Sequence, residues 1–231
     1  MKNSNKRSIL NVFKHINKTN GFVVPILFLI FNSLKKISLF PLFGKLMGLV
    51  FGNEWIKSNY VIPEMWVVIN LLLAIVGKNI IASTNNVSFA YIFLFTSSFR
   101  VFTMLIYQIN VMFFDRYEQW YLYLPQSEYV DNYKIQSGTR IVILLLINMF
   151  EYILHFTVIY VALNCILGNS VGNVTLLDSF ELFFNMKDLS IFKDNRIMIY
   201  AYSEICIGMF MNVLCIARML NLLPNSNTVI K

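Results

Sequence analysis

Ionisable side chains lie inside long apolar stretches of this chain: Arg100, Glu151, His155 and Glu204. A charged group at the centre of a bilayer costs about 2.5–3.5 kcal/mol on insertion scales, so each such group is a candidate functional residue. Glu151 and His155 are one helical turn apart and share a face. Arg100 can neutralise Glu151 or Glu204 in a buried pair. Two interpretations follow: a polar path through the membrane, or an ion pair that ties spans together.

Catalytic and metal-binding chemistry is poorly represented in the sequence. The stretch from Glu151 to His155 resembles half of a zinc-protease signature, but no histidine precedes the glutamate to complete the ligand pair. The only other histidine is His15, and the cysteines lie in apolar stretches without ligand spacing, at Cys165, Cys206 and Cys215. We therefore expect no catalytic residue, no metal and no cofactor bound by this chain.

The composition is that of a membrane protein. Hydrophobic residues make up 57% of the 231 residues and charged residues 13%, against roughly 45–50% and about 25% in ordinary globular domains. So few charges cannot cover a water-facing surface, and the surplus apolar surface must face lipid. We predict an all-α, polytopic integral membrane helix bundle that forms a single domain over residues 1–231.

Helices must carry these residues across the bilayer, which takes about 20 apolar residues each. Four segments are long enough, and Lys78 in the last of them can extend to an interface. They are Val87 to Phe114, Arg140 to Leu167, Ile197 to Ala217 and Ile62 to Ala82.

Other apolar segments are shorter or mixed. Gly21 to Asn32 and Ile37 to Phe51 are either short or broken spans, or amphipathic helices in the membrane interface. We interpret Leu176 to Phe192 as an amphipathic connector, with a span as the alternative. The expected total is four to six spans.

The charge distribution orients the chain. The net charge is +7, and no acidic residue precedes Glu54, whereas basic residues recur from Lys2 onward. Lys and Arg beside membrane segments accumulate on the cytoplasmic side and attract anionic lipid headgroups. We expect a multi-pass protein of the cell membrane with a cytoplasmic basic N-terminus, residues 1–20. Nucleic acid is the weaker interpretation of the basic arm, and we expect none as a partner.

The segment 115–136, between two strong spans, is too polar to lie in lipid. Leu124-Pro125 ends any helix that precedes it, since proline disfavours the helical conformation of the residue before it. Ser127 can then cap a new helix, with Glu128 at its positive end. One face of that helix holds Tyr129, Val130 and Tyr133, and the other holds Glu128, Asp131 and Asn132. We predict a short amphipathic helix against the membrane surface.

This segment resembles the corresponding stretch in the permeases of type-2 ABC transporters. The shared order is an acidic turn, Leu-Pro, Ser, Glu-Tyr-Val and Lys. The sequence departs from the pattern in two places, since Gln119-Trp120 replaces the usual Gly-Thr and the usual Arg after Ser is absent. The resemblance implies a cytoplasmic coupling helix that docks on an ATPase subunit; the alternative is a helix whose tyrosines only anchor it to the interface. The candidate coupling residues are Asp115, Tyr117, Glu118, Leu124, Pro125, Ser127, Glu128, Tyr129, Val130, Tyr133 and Lys134.

The chain has no P-loop of its own, because neither Gly44-Lys45 nor Gly77-Lys78 has the preceding glycine or the following hydroxyl. The resemblance therefore implies that ATP and Mg are bound by separate ABC ATPase subunits, beside a second permease, identical or related. The implied function is export of amphipathic or antimicrobial peptides or other hydrophobic compounds. The alternatives are a stand-alone membrane immunity or scaffold protein, and a channel.

Overall fold

A computed structural model describes residues 23–35, 38–51, 61–110, 138–168, 174–189, 192 and 194–222. Within these residues all regular secondary structure is helical. The helices are α1 (Val23–Lys35), α2 (Phe40–Phe51), α3 (Val61–Thr84), α4 (Val87–Ile109), α5 (Gly138–Ile166), α6 (Leu176–Phe183) and α7 (Asn195–Leu222).

Helices α3, α4, α5 and α7 are long and apolar enough to cross a membrane. Their spanning segments are Glu64–Thr84, Val87–Ile109, Val142–Ile166 and Asn195–Ala217. The prediction of an all-α, polytopic membrane bundle is thereby confirmed, as are the four predicted spans. Residues 111–114, the end of the first predicted span, lie outside the described residues.

Helices α1 and α2 occupy the two ambiguous segments near the N-terminus. They have 13 and 12 residues, which is about 18–20 Å of helix at 1.5 Å per residue. Because the hydrocarbon core is about 30 Å thick, the described part of each helix is by itself too short to cross it.

The helices divide into two compact units. In the first, α1 contacts the C-terminal part of α4: the Asn110 side-chain amide donates to the Phe31 carbonyl at 3.0 Å. The rings of Phe40 and Tyr107, also in this unit, lie 6.4 Å apart.

The second unit is organised around α5, which packs against α3, α6 and α7. Small side chains allow close helix approach where lipid supplies no hydrophobic driving force. Ala74 on α3, Ala90 on α4 and Ala162 on α5 belong to one buried apolar cluster, and Ala90 and Ala162 are fully buried. A short connection joins α3 to α4, with Asn85 at a φ of 46° and the Asn86 side chain accepting from the Ser88 amide at 2.8 Å.

Helix α6 lies in the region predicted to be an amphipathic connector. A reciprocal capping box starts it: the Thr175 hydroxyl accepts from the Asp178 amide and the Asp178 carboxylate accepts from the Thr175 amide. Its buried face carries Ser179, Leu182 and Phe183 and packs against both α5 and α7. An amphipathic helix is therefore present, but its polar residue Ser179 is fully buried between two spans.

Candidate functional site

The predicted coupling residues cannot be placed in the fold. All of them, from Asp115 to Lys134, lie outside the described residues. The predicted intramembrane residues are all described and all lie in the second unit, where they form two separate polar clusters. Arg100, Glu151 and His155 come together in one cluster, and Glu204 lies in the other.

The first cluster is built on an ion pair between α4 and α5. The Arg100 Nε donates to Glu151 Oε1 at 2.6 Å, and the Glu151 side chain is fully buried. The guanidinium also lies over the indole of Trp66 on α3, 5.3 Å from the ring centroid, an arrangement in which the ring face attracts a cation. Arg100, on α4, therefore contacts both α3 and α5.

The depth of this pair follows from the helix lengths. Arg100 lies nine residues before Ile109, where α4 ends, and Glu151 nine residues after Val142. At 1.5 Å per residue each is about 13 Å from the end of its spanning segment that is nearer to segment 115–136 in the sequence. Half of the hydrocarbon core is about 15 Å, so a bilayer that covers these spanning segments has the pair close to its middle.

His155 extends the first cluster by one turn along α5. Its Nδ1 is 3.3 Å from the Ser97 hydroxyl on α4, with the donor set by the ring tautomer. Its Nε2 is 3.9 Å from Glu151 Oε1, which is too long for a hydrogen bond. The contact between His155 and Ser97 is a second polar contact between α5 and α4, and both side chains are buried.

Several buried polar atoms of the first cluster lack a hydrogen-bond partner among the described residues. They are Glu151 Oε2, the Tyr152 hydroxyl and His155 Nε2. An unsatisfied buried donor or acceptor typically costs about 1–3 kcal/mol, and native proteins contain few of them.

The second cluster surrounds Glu204 on α7. Its Oε2 accepts from the Tyr160 hydroxyl on α5 at 2.6 Å, and its Oε1 contacts the Ser179 hydroxyl on α6. Ser179 Oγ is also 3.1 Å from the carbonyl oxygen of Ile153. Glu204, Tyr160 and Ser179 are fully buried, so the cluster joins α5, α6 and α7 away from solvent.

A charged cluster at the start of α6 lies outside the four spans. Lys187 Nζ contacts Asp178 Oδ1 and lies 3.3 Å from Glu181 Oε2. Burial tends to raise the pKa of Asp178, but hydrogen bonds from Lys187 and Thr175 outweigh it and hold that pKa below its ordinary value. The hydrogen bond to Asp178 in turn raises the pKa of Lys187. The cluster is thus a partly exposed ion-pair group that stabilises the first turn of α6.

Sequence reasoning missed the polar partners that complete both clusters: Trp66, Ser97, Tyr152, Tyr160 and Ser179. Tyrosine and tryptophan in apolar stretches are typical interface residues, and a single serine in a mixed segment carries no signal. Tyr152 directly follows Glu151, but neighbouring residues on a helix do not face each other, so this position carries no signal. These residues could be found only from the contacts between helices.

No known protein family, curated protein or solved structure matches this chain. The class of protein is therefore defined by the fold and the site. The chain is a multi-pass α-helical membrane protein with two buried polar clusters among its spans.

Proposed function

We propose that this chain is the transmembrane subunit of an ATP-driven ABC exporter in the cell membrane, with a cytoplasmic N-terminus. The observation that carries the proposal is the polar segment 115–136 between two spans, with its resemblance to the coupling segment of type-2 permeases. ATP hydrolysis would belong to separate ATPase subunits that bind this segment, because the sequence has no P-loop.

The Arg100–Glu151 pair supports a coupling role for that segment. Helices α4 and α5 precede and follow this segment in the sequence, and the pair joins them about 13 Å from the nearer ends of their spanning segments. A displacement applied to the segment by an ATPase would therefore move both helices together. Removal of one partner of a buried ion pair destabilises a protein by about 3–5 kcal/mol.

The exposed faces of the spans are apolar, which suits contact with lipid and with a second permease. Large apolar side chains are exposed on the spans, such as Leu72 on α3, Phe95 on α4 and Val213 on α7. Two permease copies would enclose a path lined by such side chains. Its substrates would be amphipathic or antimicrobial peptides or other hydrophobic compounds, for which flexible Met and Phe side chains are suited.

The test is co-purification of the full chain from its native membrane with measurement of ATPase activity. The exporter proposal predicts an ATPase that remains bound through mild detergent extraction. Tyr129→Asp with Tyr133→Asp should remove it, because charges on the docking face of the predicted helix oppose apolar contact. Asn132→Asp is the matched control, since it adds a charge to the opposite face and should retain the ATPase.

Membrane insertion of every variant is checked by alkaline extraction, so that loss of the ATPase is not confused with loss of the protein. If the wild-type chain inserts but carries no ATPase, the exporter proposal fails. The stand-alone immunity or scaffold protein is then favoured. Ionic current in ATPase-free bilayers would favour the channel.

A further inference from the structure

Ser179, in the Glu204 cluster, contacts two acceptors, and both contacts can be hydrogen bonds at the same time only if the carboxyl group carries a hydrogen. Ser179 Oγ lies within hydrogen-bonding distance of two acceptors, the Ile153 carbonyl oxygen and Glu204 Oε1. A serine hydroxyl has one hydrogen and can donate it to only one of them. The Ser179–Glu204 contact therefore requires a hydrogen on the carboxyl oxygen if Ser179 donates to Ile153.

Neighbouring hydroxyl groups serve the other oxygens of the cluster. The Tyr160 hydroxyl is already directed at the other oxygen, Glu204 Oε2. The Thr157 hydroxyl lies 2.8 Å from the same Ile153 carbonyl and serves that acceptor, which has two lone pairs. A proton on Oε1 gives every one of these oxygens a partner: Glu204 donates to Ser179, and Ser179 donates to Ile153.

Charge balance supports the same arrangement. Glu151 has Arg100 as its cation, whereas among the described residues Glu204 makes no ion pair with any Lys, Arg or His. On the elements packed against Glu204, the described ion pairs join Asp178 and Glu181 to Lys187 and Arg196 to Asp194, while Glu151 on α5 pairs with Arg100 and has His155 beside it. Tyr160 is the titratable group that contacts Glu204 from α5. A carboxylate buried without a counter-charge loses its hydration, which favours the protonated form.

We propose that Glu204 is an intramembrane proton-binding site, in which the carboxyl group holds an exchangeable proton and donates it in a hydrogen bond to Ser179 between α5, α6 and α7. Release of the proton leaves an anion at about 13 Å from the start of α7, nine residues after Asn195. It also means that the Ser179 hydrogen must turn from the Ile153 carbonyl to Glu204 if α6 and α7 are to stay hydrogen-bonded. The site is independent of which protein engages segment 115–136.

Infrared difference spectroscopy on the purified full chain in lipid nanodiscs tests the site directly. Wild-type protein should show the carbonyl stretching band of a protonated carboxylic acid at neutral pH. Glu204→Gln should lack that band, and Ser179→Ala should shift its frequency because the hydrogen-bond acceptor is lost. Glu151→Gln is the matched control and should leave the band unchanged, since Glu151 is paired with Arg100. The wild-type band should disappear reversibly as the pH is raised.

The apparent melting temperature is a second measurement, which remains informative where a variant folds poorly. Glutamine has an N–H that can replace the donor of the protonated acid, so Glu204→Gln should keep the apparent melting temperature of the wild type, while Glu151→Gln should lower it. Two results would overturn the proposal. One is a wild-type protein without the carboxylic acid band. The other is a melting temperature that rises with sodium chloride but not with choline chloride and loses this dependence in Glu204→Gln, which would assign the site to Na⁺.

Discussion

At the scale of single residues, the two buried carboxyl groups differ in what surrounds them. Glu151 lies beside the guanidinium of Arg100, while Glu204 lies among hydroxyl groups. The same side chain therefore requires different partners in two places of one bundle. Substitutions at the partners should distinguish these two environments.

Removing the cation of the first cluster should destabilise the protein strongly. Arg100→Met leaves Glu151 buried without a counter-charge, and such losses cost about 3–5 kcal/mol. The measurement is the free energy of unfolding in mixed micelles. Arg100→Met combined with Glu151→Met should recover most of the loss, because it removes both charges. Equal stability of the single and double variants would contradict a buried ion pair.

Tyr152 and Tyr160 offer a matched pair on α5. Both are fully buried, but the Tyr160 hydroxyl donates to Glu204 while the Tyr152 hydroxyl has no hydrogen-bond partner among the described residues. Tyr160→Phe should cost about 1–3 kcal/mol, and Tyr152→Phe should be nearly neutral or stabilising. Unfolding of both variants in the same micelles gives the comparison. The reverse order would contradict the assigned hydrogen bonds.

At the scale of elements, the packing of α6 between two spans depends on a glycine, Gly208 on α7, which has no side chain. A Cβ atom at Gly208 on α7 would lie 1.9 Å from the carbonyl oxygen of Phe183, at the end of α6. Backbone cannot yield as a flexible side chain can, so this glycine sets the distance between α6 and α7.

Gly208→Ala should therefore destabilise the contact between α6 and α7 by about 1–3 kcal/mol or more, the range for overpacking. Gly44→Ala is the control, because a Cβ there meets nothing within 4 Å and alanine favours helix by up to about 1 kcal/mol. Hydrogen exchange of the α6 amides measures the local effect. Faster exchange should appear in Gly208→Ala alone, and unchanged exchange there would disprove the close approach.

At the scale of the whole molecule, the short connection between α3 and α4 constrains the topology. Helix α4 is long and apolar enough to cross the membrane, so we expect its two ends, at Val87 and Ile109, on opposite sides. The proposed function requires segment 115–136 in the cytoplasm and the connection between α3 and α4 outside.

Labelling of introduced cysteines tests this orientation. A membrane-impermeant thiol reagent should modify Asn86→Cys in intact cells, and Ser127→Cys only after the membrane is made permeable. The unsubstituted chain, with its own cysteines, provides the background. If Ser127→Cys were labelled from outside, the orientation would be inverted and docking of an ATPase on that segment would be impossible.

The sequence by itself determined the fold class and the spans. Apolar length and the scarcity of charge are properties of each segment alone. A helix satisfies its backbone hydrogen bonds internally in lipid, so no knowledge of neighbours was needed. The resemblance of segment 115–136 is likewise local. It stays a prediction, because those residues lie outside the described part of the chain.

Tertiary structure alone decided the partners. The sequence left Arg100 free to pair with Glu151 or Glu204, and packing against α5 selected Glu151. It gave no indication that Ser179, in a segment interpreted as a connector, would be buried against both Ile153 and Glu204. Which side chains meet depends on helix rotation and distance, and these are set by the packing of small residues such as Gly208. A linear pattern specifies a helix, but it does not specify that helix's neighbours.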